Sequence, residues 1–236
     1  MRQPSSPSLI VALATVLAIG TAPARADPPG RPAPVASPAR VTEIVVYGPV
    51  MPPDRTIALT FDDGPSPYTP RILDVLYRNR VPATFCLLGD NAEEFPAIAR
   101  RIVREGHQVC NHSRSHADLA RSSAHRVRGE VAVAQWQIAR ATGVTPRIFR
   151  FPYGSSDRES RKIVRRYGLR PLDWDVDPRD WTRPRAGTIT SRVVGNVRPG
   201  SVVLLHDGGG DRSHTAASLE TVIETLRKQG YRFVLA

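Results

Sequence analysis

Short apolar runs rich in β-branched and aromatic residues alternate along the chain with longer segments in which apolar side chains return every three or four residues. Ile57-Ala58-Leu59-Thr60-Phe61 is followed by a helical segment from Pro70, and Ala83-Thr84-Phe85-Cys86-Leu87-Leu88 by another over 95–105. A strand over 107–111 then precedes a helix over 122–142, on which Val127, Val131, Ala134, Ile138 and Ala141 share one face. The alternation continues with a strand over 147–151, a helix from Asp157, a strand near 169–174, a helix near 186–196, a strand over 201–205, a helix over 215–229 and a last strand over 231–235. About seven strands separated by helices predict an α/β fold, a distorted parallel (β/α) barrel resembling a TIM barrel; a doubly wound open sheet is the alternative.

Local punctuation marks the same boundaries. Thr69-Pro70 reads as an N-cap followed by proline in the first helical turn, residues 156–159 as a capping box, and Gly106, Gly168 and Gly230 as glycines that end helices. Ahead of this region the pattern changes twice. Arg2, an apolar stretch over 9–19 and Ala24-Arg25-Ala26 have the order of a secretory signal peptide, with cleavage expected after Ala26. The apolar stretch falls short of the roughly 20 residues that cross a bilayer, so no membrane insertion is expected once the leader is removed. Residues 27–53 are rich in proline and alanine and read as an extended linker, because such a composition cannot bury a core; Ile44-Val45-Val46-Tyr47 is its one candidate edge strand. Residues 54–236 are then expected to form one domain, long enough for a substantial core.

The formal charge is +11, and losing Arg2 and Arg25 with the leader lowers it by two, to +9. A basic exported protein is attracted to anionic wall polymers or headgroups. The basic residues are nevertheless dispersed over helix faces (Arg100, Arg101, Arg104; Arg161, Lys162, Arg165, Arg166), which reads as solvated helix surface. No recognisable module interleaves aromatic and basic residues, so no nucleic-acid partner is expected, and the expected form is a monomer. Cys86 and Cys110 lie at similar depths in two neighbouring predicted strands; an oxidising compartment lets them pair, and two buried thiols fit the pattern equally.

The polar residues that interrupt the apolar runs gather at strand ends. Asp62-Asp63 follows the first strand, His112 and His116 the third, Arg150 the fourth, Asp175 and Asp177 the fifth, and His206-Asp207 the sixth. In a parallel barrel the C-terminal ends of the strands share one face, where the following loops build the active site. His112 and His116 have metal-ligand spacing, and a carboxylate from Asp62-Asp63 completes a set that leaves positions open for water and substrate. The His-Glu-x-x-His motif of metalloproteases is excluded, since Ser113 stands in the place of its glutamate. A non-haem iron oxygenase uses the same ligand types, but the second carboxylate and His206 suit acid–base hydrolysis better. Adjacent aspartates on an extended segment point different ways, so one can bind metal while the other acts as a base.

In order along the chain, Thr60-Phe61-Asp62-Asp63-Gly64-Pro65, His112-Ser113-Arg114-Ser115-His116, Arg150-Phe151-Pro152-Tyr153-Gly154, Asp177-Pro178-Arg179-Asp180-Trp181 and Leu204-Leu205-His206 resemble the five motifs of the polysaccharide deacetylases, carbohydrate esterase family four, or the NodB-homology domain. The resemblance spans essentially all of residues 55–236. It implies a divalent metal, usually zinc with cobalt as an alternative, held by Asp63, His112 and His116. It also implies that Asp62 is the general base for the attacking water, that the Tyr153 N–H donates to the developing oxyanion, and that His206 protonates the leaving amine. By the same carry-over Arg150 orients the base, Asp177 keeps His206 protonated, and Leu204 and Trp181 belong to the acetyl pocket. Asp180 reads as a loop cap. The expected activity is removal of N-acetyl groups, by a secreted or cell-wall-associated protein, from an N-acetylglucosamine-type polysaccharide: peptidoglycan, chitin or chito-oligosaccharide. An O-acetyl esterase acting on acetylated xylan and a wall-binding protein without activity are the rival readings.

Overall fold

Every residue from Ile57 to Asp62 is buried, so β1 (Thr56–Asp62) is covered on both faces, as its nearly unbroken apolar run requires of a central parallel strand. One edge of β1 pairs with β6 (Val202–His206) from Ala58 to Asp62. Its other edge is shared: the C-terminal half pairs with β2 (Thr84–Leu87) and the N-terminal half with β7 (Arg232–Val234). With β3 (Gln108–Asn111), β4 (Ile148–Phe149) and β5 (Arg170–Pro171) the order is β5-β4-β3-β2-β1-β6, parallel throughout. The computed structural model describes residues 55–236; the expected signal peptide and linker lie outside the described residues.

The sheet curls until its ends meet. After β5 the chain crosses to β6, where Val176 bridges Val203 in parallel, so the strand order closes into a distorted barrel and the open doubly wound alternative falls. β5 is shorter than its apolar run predicts. Pro171 has no N–H for the ladder, and the chain makes one further bond, Leu172 N–H to the Phe149 carbonyl, before it leaves β4.

Among the described residues seven α-helices pack around the sheet: α1 (Thr69–Asn79), α2 (Gly89–Glu94), α3 (Pro96–Arg104), α4 (Ala124–Thr142), α5 (Arg158–Arg166), α6 (Ala186–Asn196) and α7 (Ser213–Lys228). Ile72 and Leu76 of α1, Ile102 of α3, Ile138 of α4, and Leu219 and Ile223 of α7 join Leu59, Phe61, Phe85 and Leu205 in the main core, where Phe61 and Phe85 stack at 5.0 Å. α2 has no apolar periodicity to announce it; it forms because Gly89 and Ala92 are buried, with Gly89 seated against Ala134 of α4. Gly106, Gly168 and Gly230 all take positive φ at helix ends, as read from sequence. Two caps differ in detail. The capping box of α5 joins Asp157 to Ser160, and Thr69 does not cap α1 because its hydroxyl donates to Asp207 Oδ2 at 2.6 Å. Cys86 and Cys110 are register partners on β2 and β3 and are joined by a disulfide. No helix among the described residues is long and apolar enough to cross a membrane.

Candidate active site

Asp62 and His206 are register partners at the C-terminal ends of β1 and β6, and Asn111, the last residue of β3, hands the chain to His112. The parallel register thus brings residues about 140 positions apart to one rim, and the cleft there has a volume of ≈ 470 Å³. A larger hollow of ≈ 580 Å³ opens at the opposite ends of the strands, beside Tyr77 and His107, and holds no comparable group of ligands.

Asp63, His112 and His116 are the only group of metal-ligand spacing among the described residues, their ligand atoms lying within 4.8 Å of one another. Asp63 Oδ1 stands 3.4 Å from His112 Nε2 and 3.2 Å from His116 Nε2, and is itself buried without a hydrogen-bond partner. His112 Nδ1 lies 2.8 Å from the Arg150 carbonyl, which can only accept, so Nδ1 carries the proton and the Nε2 lone pair of the neutral ring faces Asp63. Three acceptors converging on one point, that of His112 fully buried, repel unless a proton or a cation lies between them, and this donor set suits zinc. The protein groups alone register that demand. Burial raises the Asp63 carboxyl, but the adjacent His112 and, beyond it, His116 and His206 outweigh it and hold the group well below the usual carboxylate range. Burial lowers His112, but Asp62 and Asp63 reverse the shift and raise it; for His116 burial prevails and the shift is downward.

The loop that carries the histidines is held from behind. Glu130 of α4, buried, accepts the Arg114 and Ser115 N–H groups on Oε2 at 3.1 and 2.9 Å and the Ser115 hydroxyl on Oε1 at 2.8 Å. Asn111 Oδ1 accepts the Ser113 N–H, and Ser113 Oγ accepts that of His116. Asp63, Ser113, His116 and Tyr153 all have φ between 59° and 71°, a region that residues other than glycine rarely occupy. Four such residues in one site are a local cost that these hydrogen bonds sustain.

Asp62 is buried next to Asp63; its Oδ1 faces Arg150 and its Oδ2 stands 3.7 Å from His112 Nε2. The Arg150 side chain is 0% exposed; its Nη1 donates to Asp62 Oδ1 at 2.8 Å and to Thr60 Oγ1 at 2.7 Å, and its Nε to the Leu172 carbonyl. Tyr153 follows in a short 3₁₀ turn, Pro152–Gly154, its ring edge-on to His116 at 4.3 Å and its N–H bonded to no backbone acceptor among the described residues. Leu204 and Trp181 line the cleft, together with Trp174, which sequence reading passed over.

One expectation needs correction. His206 is paired with Asp180, and Asp177 is not its partner: His206 Nδ1 lies 2.7 Å from Asp180 Oδ1, and Asp180 Oδ2 accepts the His206 N–H at 2.9 Å and the Thr215 hydroxyl at 2.8 Å. Asp177 instead caps the turn, accepting the Arg179 N–H at 2.7 Å. The 3₁₀ turn Asp180–Thr182 rotates the second aspartate of the motif inward and leaves the first exposed at the cleft edge. Burial opposes charging of His206, but the Asp180 hydrogen bond and charge, with Asp62 and Asp63 beyond, push it up to about 8. Behind β6, Asp207 is fully buried and rises to about 7 through burial, against its Thr69 hydrogen bond. A Cβ on Gly64 would stand 2.0 Å from the Asp207 carboxylate, so glycine is required in the loop that follows the two aspartates.

Residues 50–172 match the polysaccharide deacetylase family model, a stretch that includes the first three of the five motifs. A chitooligosaccharide deacetylase of Bradyrhizobium is 42% identical over 190 residues, covering 75% of this chain and 87% of that protein. A peptidoglycan-N-acetylglucosamine deacetylase of Bacillus cereus is 37% identical over 184 residues, covering 77% and 86%. The crystal structure of the Bc1960 peptidoglycan N-acetylglucosamine deacetylase in complex with 4-naphthalen-1-yl-N-oxidanyl-benzamide superposes with a TM-score of 0.75 at 39% identity, covering 78% of this chain and 86% of that one. With the strand-end carboxylates and histidines in one cleft and these relatives sharing most of its length, the chain belongs to the polysaccharide deacetylase family.

Proposed function

We propose that this protein is an exported, metal-dependent hydrolase that removes the N-acetyl group from N-acetylglucosamine-type units of a wall or related polysaccharide. The observation that carries the reading is that two groups suited to proton transfer, Asp62 and His206, line the same cleft as the Asp63, His112 and His116 set. When bound there, a divalent cation, most simply zinc, polarises the acetyl carbonyl and makes a neighbouring water more acidic.

The side chains of the protein do the rest. Asp62 takes the proton of the attacking water, and the buried Arg150 fork holds its carboxylate in one orientation. The Tyr153 N–H, free of other backbone partners, donates to the oxygen on which negative charge develops. His206, whose Nδ1 proton is held by Asp180, presents Nε2 to the cleft and gives its proton to the departing sugar amine. A group raised to about 8 stays protonated at neutral pH, as an acid at this step must. Leu204 and Trp181 provide apolar wall for the acetyl methyl.

Export rests on the signal-peptide pattern of residues 1–26. The test is acetate release by metal-stripped, leader-free protein, with and without added zinc, from N-acetylated chito-oligosaccharide, purified peptidoglycan and acetylated xylan. Zinc-dependent release from either N-acetylated glycan is expected. Release from xylan alone assigns an ester substrate, and retained activity in Asp62→Asn, with the fold intact, refutes the base assignment.

A further inference from the structure

Two arginines are buried among the described residues, and only one of them has a counter-ion. Arg150 faces Asp62. Arg212, just before α7, lines the cleft, is 3% exposed and forms no ion pair among the described residues. A buried guanidinium without a carboxylate must find neutral acceptors for its N–H groups, or its burial is strongly unfavourable. Arg212 finds three, all backbone carbonyls: Nε donates to Gly208 at 2.6 Å, Nη2 to Gly209 at 3.1 Å, and Nη1 reaches Trp181 at 3.5 Å. One side chain thus ties the turn after β6 to the turn that carries Asp180 and Trp181. A planar group with three nitrogens can span these carbonyls, and a lysine ammonium, a single point, cannot.

The turn that Arg212 holds lies directly against Asp63. The Gly208 N–H donates to the Asp62 carbonyl at 3.3 Å, and a Cβ on Gly208 would stand 2.0 Å from the Asp63 carbonyl oxygen. On Gly209 a Cβ would stand 2.6 Å from Asp63 Oδ2 and 3.4 Å from Arg212 Nη2, so the carboxylate and the guanidinium flank the same glycine. Gly209 has φ 71°, and both glycines are where close approach leaves no room for a side chain. Asp63 Oδ2 is the oxygen backed by this turn; Oδ1 is the one that faces His112 and His116, at 3.4 and 3.2 Å. With Oδ2 backed in this way, the carboxylate cannot swing away from the histidines unless the turn moves. Asp63 itself sits at φ 71°, a backbone that persists only where its surroundings hold it.

We propose that Arg212 is a positioning residue for Asp63: its guanidinium fixes the turn over 208–210, and that turn keeps Oδ1 aimed at His112 and His116. The inference rests on the reading of Asp63, His112 and His116 as a metal set. Its sign separates it from a simple charge effect. A guanidinium near a ligand carboxylate repels an incoming cation, so loss of the charge alone would tighten metal binding, whereas loss of the support weakens it.

The test is calorimetric titration of metal-stripped, leader-free protein with zinc. Arg212→Met, which keeps the apolar bulk, is expected to raise the Kd about tenfold, and Arg212→Lys, which keeps the charge but not the three-carbonyl span, by a similar factor. Cobalt loaded in place of zinc reports ligand geometry, and its visible absorption should differ between the native protein and both variants. At saturating zinc the loss on an N-acetylated oligosaccharide should fall on kcat, about threefold, and leave KM unchanged. Val193→Ala, a truncation in the buried face of α6, should lower Tm without changing the zinc Kd, which separates lost stability from lost aim. Unchanged or tighter zinc binding in Arg212→Met overturns the proposal and leaves the metal set standing. Where Arg212→Met does not fold, Arg212→Lys decides: a native Kd and a native cobalt spectrum overturn the proposal. A native protein that binds no zinc removes the metal reading, and the proposal with it.

Discussion

Asp180 holds His206 by two atoms at once, its Oδ1 2.7 Å from the ring Nδ1 and its Oδ2 2.9 Å from the same residue's backbone N–H. A carboxylate bonded both to a ring and to the strand that carries it fixes the ring's tautomer and its direction, so Nε2 must face the cleft. The two aspartates of one short motif therefore have different duties, and exchanging each separates them. Asp180→Asn is expected to lower kcat on an N-acetylated oligosaccharide by about a hundredfold, within the range for losing acid catalysis. Asp177→Asn, which keeps an oxygen for the Arg179 N–H, should cost less than about threefold on a neutral oligosaccharide. A reversed order would return the supporting role to Asp177.

The same pairing sets a pH dependence. His206 is pushed up to about 8 in the folded protein against 6.5 for the free side chain, so the charged ring favours the native state. That contribution is complete below pH 6.5 and is lost as pH rises through about 8. An NMR titration of metal-stripped protein should find the His206 ring near 8, and Asp180→Asn should move it down. A ring titrating at or below 6.5 in the native protein would remove the proposed acid at neutral pH.

Metal binding should stabilise the fold measurably, because Asp63, His112 and His116 converge only in the native state. Zinc at about a thousand times its Kd adds roughly 4 kcal/mol, which for a domain of this size is a rise in Tm of roughly 8–16 °C by calorimetry. Glu130 supports the loop between the two histidines through three hydrogen bonds, and Glu130→Gln is expected to weaken zinc binding about tenfold without touching a ligand. Unchanged affinity in this variant would mean that the loop holds its shape without the carboxylate.

Arg150 and Asp62 form a buried pair, and the cost of breaking it depends on which partner is removed. Arg150→Met strands the Asp62 charge and should destabilise by about 3–5 kcal/mol in chemical denaturation. The double variant Arg150→Met with Asp62→Asn should recover part of that loss, since no uncompensated charge remains, while activity stays absent. Additive losses would show that the two side chains do not depend on each other.

Much of this protein is legible from local pattern alone. An apolar run that ends in a polar pair is a strand reaching a site, and the runs before Asp62-Asp63, His112, Arg150 and His206 carry that signal without knowledge of their neighbours. The five ordered motifs then point to the metal set and to both proton-handling residues. That the strands run parallel follows from the alternation of strand and helix, whereas their order is left open between a barrel and a doubly wound sheet.

Contacts between distant segments decided the rest. Nothing near Cys86 and Cys110 distinguishes a disulfide from two thiols; the β2 and β3 register does, by making them partners. α2 carries no apolar stripe, and exists because α4 offers Ala134 at the point where Gly89 approaches closely. Asp177 and Asp180 are alike as residues in a loop, and only the left-handed turn at Arg179 and the position of β6 send the second inward to His206. Sequence patterns report which side chains a segment buries, since burial follows from local periodicity. Which of two similar side chains meets a partner thirty residues away depends on backbone direction in a turn, and that is set only when the barrel closes around it.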